Sequence, residues 1–311
     1  MGKAGGRSNY LNTSAETVGE GLVVASHGNR GILKTSAGVK HKYILKGRKL
    51  RTVCGDIVHW ELLDSSVHVR VTAISERRNT LSRPNSRGQT EVMASNLDQL
   101  VLVTAPLPLP DFSLIDRFLC AADLQKISTV ILWNKSDIES EWPDEISVYE
   151  QLGYEILPTM AHAKNGAEPL QQALAAVAGI SMLVGQSGVG KSSLINLLIP
   201  RTNVTVGELS TATKEGKHTT TASLLYELPG GGRLIDSPGV REFSPVFSDP
   251  TQIQAGFREI VARADHCRFS DCKHLREPEC EVKNAVERKE VSARRYESYK
   301  RLYHSVEASS A

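Results

Sequence analysis

Residues 185–192 match the glycine-rich pattern that binds nucleotide phosphates. An apolar run precedes them and the helical pattern of residues 193–198 follows, which is the strand, loop and helix order that such a loop requires. Its glycines let backbone N–H groups surround the β-phosphate at the start of a helix. Lys191 would place its cation on the β- and γ-phosphate oxygens, and the Ser192 hydroxyl would bind Mg²⁺. The predicted phosphate-binding residues are Gly185, Gln186, Ser187, Gly188, Val189, Gly190, Lys191, Ser192 and Ser193.

A second segment, residues 134–137, follows the apolar run 129–133 and has the pattern that recognises guanine. The Asp137 carboxylate can accept hydrogen bonds from the ring N–H and the exocyclic amine of guanine, a pair of donors that adenine lacks. Asn134 and Lys135 would support the loop and the base. Because ATP would leave that carboxylate unpaired, the pattern predicts GTP as the substrate. A kinase that uses ATP is the alternative.

Two later segments complete the predicted site. Asp236 follows a short apolar run, so its carboxylate would hold Mg²⁺ through water and the Gly239 amide would meet the γ-phosphate. Residues 216–221 form a threonine-rich segment between the phosphate loop and Asp236. Its Thr220 hydroxyl would coordinate Mg²⁺ only when the γ-phosphate is present. Ser192 and Thr220 are therefore the predicted magnesium ligands.

The order of these segments differs from that of an ordinary GTPase. The guanine-recognition segment precedes the phosphate loop by almost fifty residues, whereas it usually comes last. The sequence therefore predicts a circularly permuted GTPase domain. In such a domain the Asp236 loop is the C-terminal exit, so a movement that depends on the γ-phosphate would pass directly to the residues that follow.

A cluster of cysteine and histidine residues comes after this domain. Its spacing, C-x4-C-x-H-x5-C, offers three thiolates and one imidazole to a tetrahedral ion, which suits one structural zinc ion without an open position. His266 lies next to the cluster and leaves open which histidine binds. The alternative is a reduced surface loop, and Cys54 and Cys120 are interpreted as half-buried thiols. The predicted zinc ligands are Cys267, Cys272, His274 and Cys280.

Composition places limits on the class of protein. A length of 311 residues predicts two domains with room for a small third, and 40% hydrophobic and 23% charged residues are ordinary for a globular chain. The chain has no run of 18 apolar residues, and its first twenty residues are polar. We therefore expect a soluble cytoplasmic protein without a membrane partner and without disulfide bonds.

Charge is unevenly distributed along the chain. Residues 28–90 contain thirteen Lys and Arg but only four Asp and Glu, while the rest of the chain is acidic on balance. Short β-branched runs recur in this region at about ten-residue spacing, which predicts a small antiparallel barrel of the oligonucleotide-binding type. A basic surface of this kind suits nucleic-acid phosphates, although a merely soluble face is the alternative.

Apolar runs alternate with helical stretches after residue 96, which predicts a parallel α/β sheet. After residue 250 the chain becomes polar and helical, and it ends in one predicted helix over about residues 284–304. We therefore predict a multidomain α/β protein. Its parts are a flexible tail (1–19), an OB-fold RNA-binding barrel (20–95), a circularly permuted P-loop GTPase domain (96–248) and a helical zinc-binding domain (249–311).

Taken together, these motifs resemble the bacterial ribosome small subunit-dependent GTPase A family over nearly the whole chain from residue 21. The resemblance rests on residues 48–51, 55–56, 83–84, 96–98, 134–137, 185–192, 216–221, 236–239 and 267–280. It implies Mg²⁺-dependent GTP hydrolysis that the small ribosomal subunit stimulates, in late maturation of that subunit through binding of its rRNA. Ribosome assembly factors would be further partners, and we expect a monomer. The alternative is a GTP-gated RNA-binding placeholder in which hydrolysis only triggers release.

The resemblance also bears on catalysis. Val240 stands where Ras-like GTPases have the glutamine that orients water, and an apolar side chain cannot do so. In similar proteins the histidine of the threonine-rich segment is the proposed replacement, which corresponds to His218. His218 and Lys191 are therefore the catalytic candidates, and a structural or solvent-facing His218 is the alternative.

One segment departs from the family pattern. Met160 and Ala161, before His162, stand where the family usually has a Ser-Ser or Ser-Ala pair behind the guanine. Backbone contacts to the base can survive such a change, so we expect guanine to remain the base that binds, and the effect on its affinity stays open.

Overall fold

The computed structural model describes residues 17–47, 49–63, 68–85, 87–139, 141–163, 165–199, 223–237 and 245–310. His218, Thr220, Gly239 and Val240 lie outside the described residues. Within the described ranges, no helix combines the length and the apolar character that crossing a membrane requires.

A closed barrel forms the N-terminal part of the described chain. Its strands are β1 (Val18–His27), β2 (Arg30–Lys34), β3 (Lys40–Leu45), β4 (Ile57–Leu62) and β5 (His68–Ile74). They pair in the order β1-β2-β3-β5-β4, and β4 pairs again with β1. β3 and β5 run parallel, and the other pairs are antiparallel. Alternate side chains such as Val23, Leu33 and Val69 fill the interior. This is the predicted OB-type barrel.

The central part is an α/β layer structure, as predicted. Its strands are β8 (Gln99–Thr104), β9 (Ser128–Asn134), β10 (Glu155–Thr159), β11 (Ile180–Val184), β12 (Ser223–Glu227) and β13 (Arg233–Asp236). Its helices are α1 (Phe112–Leu124), α2 (Asp144–Gln151), α3 (Glu168–Val177) and α4 (Lys191–Leu198). β10, β9, β8, β11 and β13 are parallel neighbours in that order, and β12 is antiparallel to β13. Leu100 packs towards α1 and α2, whereas Val101 packs towards α3 and α4.

The barrel and the α/β sheet are joined through main-chain pairing. Ala25 and Ser26 of β1 lie opposite Leu224 and Ser223 of β12, so the described strands of both parts form one continuous sheet. The Lys34 ammonium contacts the Glu227 carboxylate across the same junction at 2.5 Å. Sequence reasoning treated the two parts separately and missed this pairing.

A hairpin of β6 (Thr80–Pro84) and β7 (Thr90–Ser95) connects the barrel with the α/β part. Leu81 and Met93 of this hairpin belong to the same apolar core as Leu100. The hairpin therefore packs against the α/β sheet, although it precedes residue 96. The residue bounds given above for the domains stay a prediction.

The C-terminal part is helical. It contains the 3-10 helix Pro250–Gly256, α5 (Arg258–Ala264), α6 (Glu281–Glu287) and α7 (Ala293–Ser310). The prediction of one helix over residues 284–304 is wrong, because α6 ends at Glu287 and Lys289, two residues later, has a left-handed backbone conformation with φ 61°. The N–H groups of Lys289 and Glu290 donate to the carbonyls of Val286 and Ala285, which closes the helix in a Schellman motif.

A buried ion network holds this helical part against α1. Arg295 of α7 is fully buried and donates to both carboxylate oxygens of Glu259, at 2.7 and 3.0 Å, and to Asp116 of α1 at 2.7 Å. Arg294 donates to the second oxygen of Asp116. Burial alone would lower the pKa of Arg295, but the two carboxylates more than offset this and raise it. The network therefore stays charged and joins the two parts.

We predict that Arg295→Ala lowers the free energy of unfolding by about 3–5 kcal/mol, because it leaves the buried Glu259 carboxylate without its partner and removes one of the two arginines that pair with Asp116. Urea unfolding followed by circular dichroism measures the change. Arg268→Ala is the matched control, since it removes an exposed arginine that pairs with Glu279 and should cost at most about 1 kcal/mol. Equal losses in the two variants would contradict the role given to Arg295.

Candidate nucleotide site and metal centre

The phosphate loop occupies the turn between β11 and α4. Gly185, Gly188 and Gly190 have φ values of 136°, 81° and 100°, which side chains rarely adopt. At Gly185 a Cβ atom would also overlap the Val103 carbonyl, and at Gly190 it would overlap the Asn134 side-chain amide. The glycines are therefore required by backbone conformation and by close neighbours.

The end of this loop is arranged for an anion. α4 begins at Lys191, and Gly190 before it has no side chain to cap the first N–H groups. The Lys191 ammonium folds back over the loop and donates to the carbonyls of Gly185 and Gln186 at 2.7 and 2.6 Å. Ser192 is exposed at the same end. Backbone N–H groups, a cation and a hydroxyl thus converge where a phosphate would lie.

The guanine-recognition loop is bonded directly to the phosphate loop. Asn134 is fully buried at the end of β9, donates from Nδ2 to the Val189 carbonyl at 2.7 Å and accepts from the Thr159 hydroxyl at 3.1 Å. Lys135 donates from Nζ to the Gly188 carbonyl at 2.8 Å. The Asp137 side chain is exposed beyond these contacts. The structure therefore brings together the predicted base-binding and phosphate-binding segments.

The segment that departs from the family pattern follows β10, beside the guanine-recognition loop. The N–H of Met160 donates to the Gly166 carbonyl at 2.9 Å, and the N–H of Ala163 donates back to Met160 at 3.1 Å. A Cβ atom at Gly166 would overlap the Met160 carbonyl. Local hydrogen bonds thus hold this backbone with Met160 and Ala161 in place of the usual pair.

Asp236 ends β13, the neighbour of β11, so it lies at the same edge of the sheet as the phosphate loop. Ser237 follows it, is buried, and accepts a hydrogen bond from the Ser223 hydroxyl at 2.8 Å. Of the predicted γ-phosphate and magnesium residues, Ser192 and Asp236 are thus placed near the loop, while Thr220 and Gly239 lie outside the described residues.

One contact of the phosphate loop was not predicted from the sequence. The Gln186 side chain accepts from the Asp111 N–H at 2.8 Å and donates to the Leu109 carbonyl at 3.0 Å. These two residues lie between β8 and α1, and Asp111 also caps α1 by accepting from the Leu114 N–H. The signal available in the sequence was the position of residues 105–111 directly after an apolar strand of the same sheet.

The predicted metal ligands converge in the C-terminal part. The ligand atoms of Cys267, Cys272, His274 and Cys280 all lie within 4.8 Å of one another. His274 Nδ1 is 3.4 Å from the sulfurs of Cys267 and Cys280, which are 3.9 Å apart. A tetrahedral zinc site requires about 3.8 Å between sulfurs and about 3.6 Å between sulfur and nitrogen. The cluster therefore fits one zinc ion.

Burial raises the pKa of the Cys272 thiol to about 12 and lowers the pKa of His274. Both shifts favour the neutral side chains, so a divalent metal that binds here would displace protons from the thiols. Glu277 holds the turn by accepting from the backbone N–H groups of Lys273, Leu275 and Arg276.

The remaining candidates fall outside the cluster. His266 is exposed and does not share in the group of ligand atoms, so His274 is the histidine that the structure brings to the cysteines. The prediction of half-buried thiols at Cys54 and Cys120 is wrong. Both are fully buried, since each packs into an apolar core.

The chain order of the site elements decides the class. β9, which carries Asn134, precedes β11 along the chain, yet the two strands flank β8 and present their carboxyl ends at one edge. In a P-loop GTPase, this arrangement arises only when the order of the strands along the chain is circularly permuted. The protein is therefore a circularly permuted P-loop GTPase flanked by an OB-type barrel and a helical part with a Cys₃His cluster.

Comparison with known proteins narrows the class to a family. The model of the RsgA GTPase family matches residues 74–245. The small ribosomal subunit biogenesis GTPase RsgA of Actinobacillus pleuropneumoniae is 42% identical over 297 residues, covering 93% of this chain and 86% of that relative. The same-named protein of Pseudomonas fluorescens is 42% identical over 299 residues, with the same coverage. The chain belongs to the RsgA GTPase family and is a GTP-hydrolysing enzyme.

Solved structures agree with this assignment. YjeQ from Thermotoga maritima is 29% identical and superposes with a TM-score of 0.69, covering 93% of this chain and 98% of that one. YloQ, described as a circularly permuted GTPase, has a TM-score of 0.68 at 23% identity, covering 97% and 98%, and supports the fold.

We predict that His274→Ala removes the bound zinc, because it deletes one of four converging ligands, and lowers the midpoint of thermal unfolding. Metal analysis of the purified variant measures the first effect and calorimetry the second. His266→Ala is the control, since it removes a neighbouring exposed histidine and should keep one zinc ion per chain. Retention of zinc by both variants would show that His274 is not a ligand.

Proposed function

We propose that this GTPase acts in late maturation of the small ribosomal subunit, and that binding to the subunit stimulates its hydrolysis of GTP. The observation that carries the ribosomal part is the 42% identity to relatives named for small ribosomal subunit biogenesis, which spans 93% of this chain. That similarity extends beyond residues 74–245, where the family model matches, into the barrel and the helical part.

The chemistry rests on residues of the nucleotide site. Asp137 would recognise guanine, while Asn134 and Lys135 hold the base loop to the phosphate loop. Lys191 would exchange its two carbonyl contacts for oxygens of the β- and γ-phosphates. Mg²⁺, held by Ser192 and Thr220, would neutralise charge on those phosphates.

Hydrolysis itself needs a group that orients the attacking water. We propose His218 for this role, because Val240 occupies the position of the usual glutamine and cannot form the required hydrogen bond. Contact with the small subunit would then place the threonine-rich segment, and His218 with it, beside the γ-phosphate.

The barrel supplies a surface for rRNA. Among the described residues of the barrel, the exposed basic side chains include Arg30, Lys40, Lys42, Lys46, Lys49 and Arg51. Such side chains bind phosphates without sequence preference, so the affinity for rRNA should fall steeply with salt. We also propose that the Cys₃His cluster holds structural zinc, and that the protein acts as a monomer that meets other assembly factors on the subunit.

We predict that Asp137→Asn weakens GTP binding at least about 100-fold, because it removes a charged acceptor for two guanine donors. An asparagine amide offers one acceptor and one donor, which match the ring N–H and the 2-oxo group of xanthine. The variant should therefore gain affinity for xanthosine nucleotides in calorimetric titrations. Asp144→Asn, an exposed change on α2, is the control and should leave GTP binding unchanged. If Asp137→Asn kept the preference for guanosine over xanthosine nucleotides, the assignment of the base site would be refuted.

The proposed function is tested by GTP turnover with and without purified small ribosomal subunits, with ATP and large subunits as controls. We expect intrinsic turnover of roughly 10⁻⁴ to 10⁻² per second and at least tenfold stimulation by small subunits alone. His218→Ala should abolish the stimulation while leaving nucleotide affinity unchanged. Tight GTP binding without stimulation would instead favour a GTP-gated RNA-binding module, and stimulated turnover that survives His218→Ala would exclude this histidine.

A further inference from the structure

A cavity of about 170 Å³ lies between α1 and α7, apart from the nucleotide site and the Cys₃His cluster. Ser113 and Arg117, one turn apart on α1, line one side. Ser298, Arg301 and Ser305 line the other side from successive turns of α7. Phe257 and Leu302 add apolar surface, so the cavity has a mixed lining that includes two arginines, and it lies where the GTPase domain meets the helical C-terminal part.

The two arginines lack counter-ions within the part of the chain that the structure describes. Neither Arg117 nor Arg301 forms a salt bridge there, and the Nε of Arg117 is buried without a hydrogen-bond acceptor. Burial lowers the pKa of Arg117, which reflects the unfavourable removal of its charge from water. Arg117 as a whole is half-buried, and a partly desolvated guanidinium without a counter-ion is less stable than one that meets an anion.

Asp116 also lines the cavity, but its charge is already balanced. One of its oxygens accepts from Tyr149 and Arg295, and the other accepts from Arg294, all at 2.7 Å. Arg295 shares its charge with Glu259 as well. Around the cavity, four arginines thus face two carboxylates, and the uncompensated positive charge belongs to Arg117 and Arg301.

We propose that this cavity binds a phosphate group between Arg117 and Arg301, with the hydroxyls of Ser113 and Ser298 as further donors. Guanidinium groups bind phosphate oxygens with paired, charge-assisted hydrogen bonds, which neutral or cationic ligands cannot match. The volume is smaller than the roughly 300–1,000 Å³ of pockets that enclose drug-sized ligands, so the cavity suits a single phosphate group and not a whole nucleotide. The phosphate belongs either to an RNA backbone or to a small ion or monoester.

The test uses full-length protein saturated with GDP, so that the phosphate loop is occupied. Inorganic phosphate is added at constant ionic strength and the midpoint of thermal unfolding is recorded. In parallel, a short RNA duplex is titrated at several salt concentrations. The variants are Arg301→Ala, Arg301→Lys and the control Lys300→Ala, which removes an equal charge from α7 at a residue that pairs with Glu297 and does not line the cavity.

Two outcomes support the proposal and identify the source of the phosphate. Stabilisation by inorganic phosphate that Arg301→Ala abolishes, and Lys300→Ala retains, indicates a small ion or monoester. The second outcome concerns the slope of the logarithm of the RNA-binding constant against the logarithm of the salt concentration. If this slope decreases in magnitude by about one in Arg301→Ala but not in Lys300→Ala, the phosphate is a backbone phosphodiester. Arg301→Lys should be intermediate, because it keeps the charge and loses the paired donors.

Two other outcomes overturn it. If Arg301→Ala behaves as the unmodified protein in both titrations, the cavity does not bind phosphate. If Arg301→Ala and Lys300→Ala lose affinity equally, the effect is one of general surface charge. Because Arg301 is exposed, its replacement should leave the fold intact, which circular dichroism verifies. The inference does not rest on GTP hydrolysis or on ribosome binding, so it can fail without affecting the proposed function.

Discussion

The hydrogen bond from the Asn134 side chain to the Val189 carbonyl joins two loops through residues that lie 55 positions apart in the chain. The amide is fully buried, and its oxygen is satisfied by the Thr159 hydroxyl at the end of β10. A buried amide left unpaired would be costly, so the ends of β9, β10 and β11 fix one another. This bond requires a glycine at position 190, because any side chain there would displace the Asn134 amide. Base and phosphate recognition are therefore one preorganised unit.

Permutation places a flanking part on each side of that unit. On one side, β1 of the barrel pairs with β12, which adjoins the strand that ends in Asp236. On the other side, Arg295 fastens the helical part to α1, whose capping residue Asp111 is bonded to Gln186 of the phosphate loop. Each flanking part is thus connected to the nucleotide site through a single element, the strand β12 for the barrel and the helix α1 for the helical part.

Features that depend on short spacing were predictable from the sequence. The phosphate loop, the segment that begins at Asn134 and the Cys₃His cluster all carry their chemistry within fourteen or fewer residues. Features that depend on distant residues were not. The pairing of β1 with β12 and the burial of Arg295 need partners far along the chain, which no local pattern marks. The break at Lys289 was missed for another reason: a lysine adopts there a backbone conformation that usually belongs to glycine.

The junction of β1 with β12 also has a consequence for how the chain is made. Ala25 and Ser26 are synthesised about 200 residues before Leu224 and Ser223, their partners. At roughly 5–20 residues per second, this edge of the nascent barrel waits on the order of 10–40 s for its last neighbour. An unpaired edge of this kind can recruit strands from other chains. A chain that ended before β12 would therefore leave Ala25 and Ser26 of β1 without their strand partners.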